Sequence, residues 1–302
     1  MNNIQKAVLS AEAHIRPYIS ETPLKFSASL NTYLKCENLQ HTGAFKVRGA
    51  FNKLLSLTPS QRKQGIVTAS TGNHGAAVAY GLKTLNIPGI IFVPENASPK
   101  KISNIRHYNA PLEFYGTDCM QTELHALEYA KQHNMIYVSP YNDIDIIAGQ
   151  GTIGLELTKQ LNTIDAIFVP IGGGGLISGI AGYIKSVSPK TKIIGCLPEN
   201  SPVMSESIKA GKILDMETLP TLSDATAGGI EAGSITFEFC QKYVDDYILV
   251  SESEIQNAMT TLIKTDHLKV EGAAGVALAS LIKNAKLFEN KNTVVLLSGG
   301  NI

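Results

Sequence analysis

The chain has 302 residues, 44% hydrophobic and 17% charged, which is enough apolar material to bury a core in one large domain or two lobes. Its 26 basic residues balance 26 acidic ones with no Lys/Arg run, which excludes a field or patch for nucleic acid or an anionic membrane and leaves a small molecule as the expected partner. No apolar stretch approaches the ~20 residues that cross a bilayer, the N-terminus lacks a signal-like core, and the scattered Cys36, Cys119, Cys196 and Cys240 suit neither a disulfide framework nor a zinc site; a cytoplasmic protein with reduced thiols is expected.

In chain order, the first segment with chemical content is Lys35-Cys36-Glu37-Asn38-Leu39-Gln40-His41-Thr42-Gly43-Ala44-Phe45-Lys46-Val47-Arg48-Gly49-Ala50. Thr42-Gly43 reads as a helix start, and residues 44–55 are amphipathic with Lys46 near the head. An arbitrary lysine there is a solvated helix side chain. Phe45 beside it offers an aromatic face, however, and Gly43 and Gly49 permit close approach, which suits a lysine that forms a Schiff base.

From residue 66 onward, β-rich runs at 66–69, 89–94, 112–115, 135–138, 166–169, 192–195, 247–250 and 293–297 alternate with helical spacing at 73–85, 98–108, 118–133 and 271–283. Such alternation gives the α/β class, with parallel sheets covered by helices. The stretch 141–151 interrupts it with polar residues and glycines before helical spacing resumes at Thr152, and is the expected crossing between lobes. The expected division is a small lobe of residues 66–142 and a large lobe of residues 1–65 and 143–302.

Three loops then stand out. Ser70-Thr71-Gly72-Asn73-His74-Gly75 follows a strand and opens a helix, which places hydroxyls, an amide and an imidazole beside free N–H groups and suits a carboxylate or ring hydroxyl; the plain alternative is N-capping by Ser70 or Thr71. Gly172-Gly173-Gly174-Gly175 also follows a strand, so backbone N–H groups and a positive helix end converge where an anion can sit. No Lys-Ser/Thr follows as in a Walker loop, and Ile177 spoils a dinucleotide fingerprint, so a lone phosphate is the simplest ligand, with a tight turn as the alternative. Ser298-Gly299-Gly300-Asn301 ends the last strand and Glu271-Gly272-Ala273-Ala274-Gly275 opens the last long helix; either reads equally as turn and cap chemistry. Ser70, Gly172 and Ser298 all fall at carboxyl ends of strands, where open α/β sheets bind ligands. A Schiff-base lysine and a phosphate cradle are two of the parts that pyridoxal 5'-phosphate requires of a protein.

These motifs, together with Asp224-Ala225-Thr226-Ala227-Gly228-Gly229, stand in an order that resembles the fold-type-II pyridoxal-phosphate enzymes, in the serine/threonine dehydratase and serine racemase branch, over nearly the whole chain. The resemblance implies a two-lobed, tryptophan synthase β-like fold whose large lobe binds the cofactor and whose small lobe carries the substrate loop. By position, Lys46 would hold the cofactor as a Schiff base, Phe45 would pack on its ring and Asn73 would bond the ring hydroxyl. The amides of Gly172, Gly173, Gly174 and Gly175 would bind the phosphate, Ser298 would face the pyridine nitrogen, and Glu271 would complete the cofactor set. Ser70, Thr71, Gly72, Asn73 and His74 would hold the substrate, with Lys46 taking the α-proton. Thr71 stands where racemases of the branch use a serine as acid/base on the opposite ring face, which makes it a second catalytic candidate.

A serine hydroxyl cannot keep the ring nitrogen protonated as a carboxylate would, which favours prompt loss of a β-leaving group. The implied activity is therefore α,β-elimination of L-threonine, L-serine or a related β-hydroxy amino acid to a 2-oxo acid and ammonia, in a homodimer. The alternatives are a racemase or β-replacement synthase on the same fold, and a cofactor-binding protein without turnover. Cys196-Leu197-Pro198 stands where metal-binding members carry a glutamate, and Glu199 is displaced by two, so no metal is expected. With the sequence ending at residue 302, the regulatory domain of feedback-inhibited relatives is not expected; Ala232, Gly233 and Ser234 are expected near the substrate wall.

Overall fold

A computed structural model describes residues 3–302. Its strands are β1 (Leu24–Ser27), β2 (Thr32–Lys35), β3 (Ile66–Ala69), β4 (Gly89–Val93), β5 (Leu112–Phe114), β6 (Ile136–Tyr137), β7 (Ala166–Pro170), β8 (Lys192–Pro198), β9 (Asp246–Val250) and β10 (Thr293–Leu296). The helices are α1 (Asn3–Ile15), α2 (Lys46–Ser56), α3 (Pro59–Gln64), α4 (Asn73–Leu85), α5 (Pro99–Arg106), α6 (Cys119–Gln132), α7 (Ile144–Gln160), α8 (Gly175–Val187), α9 (Val203–Ala210), α10 (Ile235–Tyr243), α11 (Glu252–Asp266) and α12 (Gly272–Lys283). Two sheets result, a six-stranded one in the order β1-β2-β10-β7-β8-β9 and a four-stranded one in the order β5-β4-β3-β6. The class is α/β, as the alternation implies.

The large sheet is parallel except at its edge, where β1 pairs antiparallel with β2. That hairpin is the one part of either sheet with no counterpart among the expected strands. Lys25 and Lys35 break its apolar pattern, and β2 is a strand because it docks on β10 rather than by its own composition. On β7 successive side chains serve opposite faces: Ile167 and Val169 pack with α1, α7 and α8, while Phe168 packs with α11 and α12. The small sheet is parallel throughout and likewise covered on both faces, by Ala76, Ala79, Ile102 and Ile105 on one and by Ala126 and Ala130 on the other.

One expectation fails at 141–151. The segment is not an irregular crossing that turns helical at Thr152, because α7 is already running at Ile144. Asp143 caps it, its Oδ1 accepting from Asp145 N at 2.7 Å and Ile146 N at 3.3 Å. Glycines made the stretch look like a loop because each costs helix propensity. Here they admit neighbouring backbone instead: a Cβ on Gly149 would lie 2.6 Å from Arg48 O, and one on Gly151 2.9 Å from Gly179 O. The close packing of α7 against α2 and α8 depends on those bare positions.

Ser70, Gly172 and Ser298 follow the carboxyl ends of β3, β7 and β10, so the rims of the two sheets supply facing walls of one cleft. Among the described residues no helix is long and apolar enough to cross a membrane.

Candidate active site

Lys46 is the first residue of α2, whose Val47, Ala50, Phe51 and Leu54 are driven into the core. The lysine is thereby carried into a cavity of about 360 Å³ between the sheets. Its Nζ donates to Pro140 O at 2.8 Å and lies 5.4 Å from the Phe45 ring centroid. Burial alone pushes the amine down to about 8. A protonated amine is no nucleophile, so reconstitution of the apoprotein with pyridoxal phosphate should be slow below that value and level off above it. The expected midpoint is about 8 by stopped-flow absorbance; a rate still climbing toward the ordinary lysine value of 10.5 would show that the reacting amine is solvated.

The 70–75 loop does not behave as an ordinary side-chain cap. The N-cap of α4 is Gly72, no side chain caps the helix, and Ser70 Oγ accepts from Gly72 N at 3.2 Å. The first-turn N–H groups of α4 thus remain available to a ligand. His74 is nearly fully buried, with Nε2 3.2 Å from Val138 O, and burial followed by the Lys46 charge pushes it down to about 3. A neutral ring that donates through Nε2 keeps only an acceptor nitrogen, which offers a carboxylate nothing. Ser70, Thr71 and the backbone amides of this loop keep donors that a carboxylate can use.

Asn73 ties the helix that follows β3 to residues at the rim of the larger sheet. Its Nδ2 donates to both carboxylate oxygens of Glu271 at 2.9 Å, and its Oδ1 accepts from Asn301 Nδ2 at 2.8 Å. Burial pushes the Glu271 carboxyl up, against the bonds from Asn73 and the Asn301 backbone. With these partners the Asn73 amide has one orientation, which leaves its second Nδ2 hydrogen for a ligand.

The tetraglycine loop is bare because its neighbours leave no room. A Cβ on Gly173 would lie 2.5 Å from Tyr141 Cδ1, one on Gly175 2.9 Å from Tyr141 Cα, and one on Gly172 2.9 Å from Thr226 Cα. Gly174 takes φ +85° at the N-cap of α8, a conformation that excludes most side chains, and no side chain caps that helix either. Thr236 Oγ1 pins the loop by donating to Gly173 O at 2.6 Å. The N–H groups at this turn are placed where they can cradle an anion.

Ser298 completes the set. Its backbone oxygen accepts from Phe45 N at 3.1 Å, yet its hydroxyl is buried and, among the described residues, finds no partner. An unsatisfied buried hydroxyl costs about 1–3 kcal/mol, so its retention fits a ligand atom that the hydroxyl meets. Ser298→Ala should accordingly raise the melting temperature of the apoprotein while weakening cofactor binding. A variant apoprotein no more stable than wild type would mean that the hydroxyl is satisfied without a ligand.

The residues given a cofactor or substrate role by position line this one cavity: Phe45, Lys46, Ser70, Thr71, Gly72, Asn73, His74, Gly172, Gly173, Gly174, Gly175, Glu271 and Ser298. The wall near the 224–229 motif consists of Asp224, Ala225, Thr226, Ala227 and Gly229 rather than Ala232, Gly233 and Ser234; Ser234 is buried with its hydroxyl 2.8 Å from Thr236 Oγ1. Tyr141, Pro140, Asn301 and the ion pair of Lys101 Nζ with Asp224 Oδ2, 2.7 Å across the mouth, were not anticipated as parts of the site. Asn301 and Asp224 carried a signal, their places in the Ser298 and 224–229 motifs; Tyr141, Pro140 and Lys101 reach the site through long-range contacts with no local pattern. Leu197 lies in the core, and Glu199 pairs with Lys283 at 3.4 Å.

A desolvated amine, an anion cradle without side chains and an unpaired hydroxyl on facing strand ends are the donor set of a pyridoxal-phosphate site in a fold-type-II enzyme. The family model described as "Pyridoxal-phosphate dependent enzyme" matches residues 15–299, and the chain belongs to that family. It is similar to the catabolic L-threonine dehydratase TdcB of Escherichia coli K12, 41% identical over 89% of this chain and 82% of that one. It is also similar to the L-threonine ammonia-lyase of Thermotoga maritima, 38% identical over 98% of this chain and 75% of that one. Among solved structures, maize serine racemase superposes with a TM-score of 0.94 at 32% identity, covering 99% of this chain and 93% of that one. The chain is thus a pyridoxal-phosphate-dependent enzyme of the dehydratase and racemase branch.

Proposed function

We propose that the protein converts L-threonine or L-serine to the 2-oxo acid and ammonia by α,β-elimination. It is a carbon–nitrogen lyase in this reading. The observation that carries it is the Lys46 amine, buried without an acidic partner and pushed down to about 8, in one cavity with the unpaired Ser298 hydroxyl. Bound pyridoxal phosphate supplies an imine link to the amino acid and a sink for the electron pair left at its α-carbon.

The residues do the rest. Ser70, Thr71 and the first-turn amides of α4 hold the substrate carboxylate. Asn73 and Phe45 orient the ring, and Gly172, Gly173, Gly174 and Gly175 hold its phosphate. Lys46, whose burial brings its amine down from 10.5 to about 8, takes the α-proton in its neutral form. As the β-carbon–oxygen bond breaks, the hydroxyl takes up a proton and departs as water. A hydroxyl rather than a carboxylate at position 298 supports elimination over longer-lived carbanion chemistry.

In this reading residues 66–142 form the substrate-loop lobe and residues 1–65 and 143–302 the cofactor lobe, in a cytoplasmic homodimer whose mass light scattering would test. The reaction is tested by incubating the holoenzyme with threonine and with serine and assaying 2-oxobutanoate and pyruvate; bound cofactor with no oxo acid from either substrate overturns it. Thr71 keeps racemisation as a second reading, because it lines the same cavity as Lys46 and carries a hydroxyl. Chiral analysis of residual serine, with Thr71→Ala as the control, separates the two.

A further inference from the structure

Outside the cavity lining stand four charged side chains that this chemistry leaves unused. Lys35, Glu37, Arg48 and Glu156 are all buried, the most exposed of them only 4% by side chain. Two cations face two anions, so the cluster is neutral. Arg48 spends all five of its N–H groups within it: Nε on Glu37 Oε2 at 2.8 Å, Nη2 on Glu37 Oε1 at 2.8 Å and Glu156 Oε2 at 2.9 Å, and Nη1 on Glu156 Oε1 at 2.6 Å and Thr152 Oγ1 at 3.1 Å. Lys35 Nζ adds bonds to Glu156 Oε2 at 2.5 Å, Thr22 O at 2.8 Å and Gln160 Oε1 at 3.0 Å. Burial pushes the Glu37 carboxyl up, but the Arg48 guanidinium holds it below the usual carboxylate range.

Free energy alone does not explain such a cluster, since well-packed apolar residues of similar volume often serve stability equally well or better. Its placement does. Arg48 stands two residues after Lys46 on α2, Glu37 opens the turn that follows β2, and Glu156 and Thr152 lie on α7. The same turn is tied to the end of β10, because Asn38 N donates to Leu297 O at 2.9 Å and Leu297 N donates to Lys35 O at 3.0 Å. Ser298 comes next, bonded through its backbone to Phe45. One guanidinium therefore braces the helix that starts at Lys46 against both the segment presenting Ser298 and α7.

We propose that Arg48 is a positioning residue: its guanidinium, clamped between Glu37 and Glu156, fixes the roll and height of the first turn of α2 and so fixes where the Lys46 amine stands relative to Ser298. The proposal rests on the reading of Lys46 as the imine-forming lysine. The effect is geometric rather than electrostatic, since the Lys46 shift owes to burial with no contribution from Arg48.

Lysine at position 48 would keep the charge but lose the planar fork, so Arg48→Lys isolates the clamp. In the folded holoenzyme kcat for 2-oxo acid release should fall roughly 100-fold with KM unchanged, the scale of an ångström's misplacement. The reconstitution midpoint should also rise above about 8, because a loosened amine meets more water. If Arg48→Lys does not fold, Thr152→Val decides by the same two readouts: at nearly constant shape it deletes one of the five bonds, along with the bond that Thr152 Oγ1 donates to Gly149 O at 2.7 Å, with an expected fall in kcat of roughly 10-fold. A folded variant that melts lower yet keeps the wild-type kcat and midpoint assigns the cluster to fold stability and overturns the proposal. Peptide mapping after borohydride reduction keeps the two readings apart: a wild-type adduct on another lysine sinks the Lys46 reading, whereas an adduct on Lys46 with unchanged readouts sinks only the role of Arg48.

Discussion

Replacing Lys46 with alanine should abolish covalent attachment of pyridoxal phosphate and cut 2-oxo acid release by at least about 10³-fold, because one change removes both the imine-forming amine and the proposed acceptor of the α-proton. The fold should survive. Among the described residues the amine makes one hydrogen bond, to Pro140 O, and is desolvated for it. In fact the apoprotein should become more stable. Wild-type Lys46 has its value lowered by folding from 10.5 to about 8, so below about 8 the folded state carries a buried charge at full cost. Between about 8 and 10.5 the unfolded chain binds more protons than the folded one, and wild-type stability rises with pH. The stability gain of Lys46→Ala should therefore be largest at and below neutral pH and shrink as pH climbs through that window. Thermal melts of both apoproteins across pH 6–10, at roughly one-unit spacing, measure it. A variant that still yields a borohydride-reducible adduct, or that turns over at the wild-type rate, places the chemistry on another lysine.

The sequence showed the parts of the site well because each part is local. A loop between a strand and a helix, bare of Cβ atoms or rich in hydroxyls, exposes its own N–H groups, and 70–75 and 172–175 are such loops. What stayed hidden is whatever depends on two distant segments meeting. Tyr141 buttresses the tetraglycine loop, yet nothing near residue 141 points to residue 173. Arg48, Glu37 and Glu156 are unremarkable charges until folding buries them together. His74 shows the other limit of local reading: on a first helical turn it resembles a ligand, and it does line the cavity, but Val138 O takes its Nε2 donor. At 141–151 the glycines are spacers for helix packing, and composition alone cannot tell a spacer from a break.

The same contrast sets the second large effect. Gly173→Ala adds one methyl group, and at an exposed turn that would be nearly silent. Here the new Cβ would stand 2.5 Å from Tyr141 Cδ1, and the ring cannot simply step aside, because Tyr141 Oη accepts from Glu231 N at 3.0 Å and its backbone packs under Gly175. The loop must move instead, away from the position where Thr236 holds Gly173 O and where its amides converge. Overpacking of this kind costs about 1–3 kcal/mol. Because the loop bears on the anion rather than on the core, the cost should appear as lost cofactor affinity, roughly 100-fold or about 2.7 kcal/mol, more than as lost apoprotein stability. Equilibrium titration of apoprotein with pyridoxal phosphate reads the first quantity and thermal melts the second. Adding Tyr141→Ala to Gly173→Ala removes the obstacle and should restore part of the affinity, a coupling that a double-mutant cycle isolates. An affinity that never moves in the single variant would mean the phosphate end of the cofactor does not rest on these four glycines.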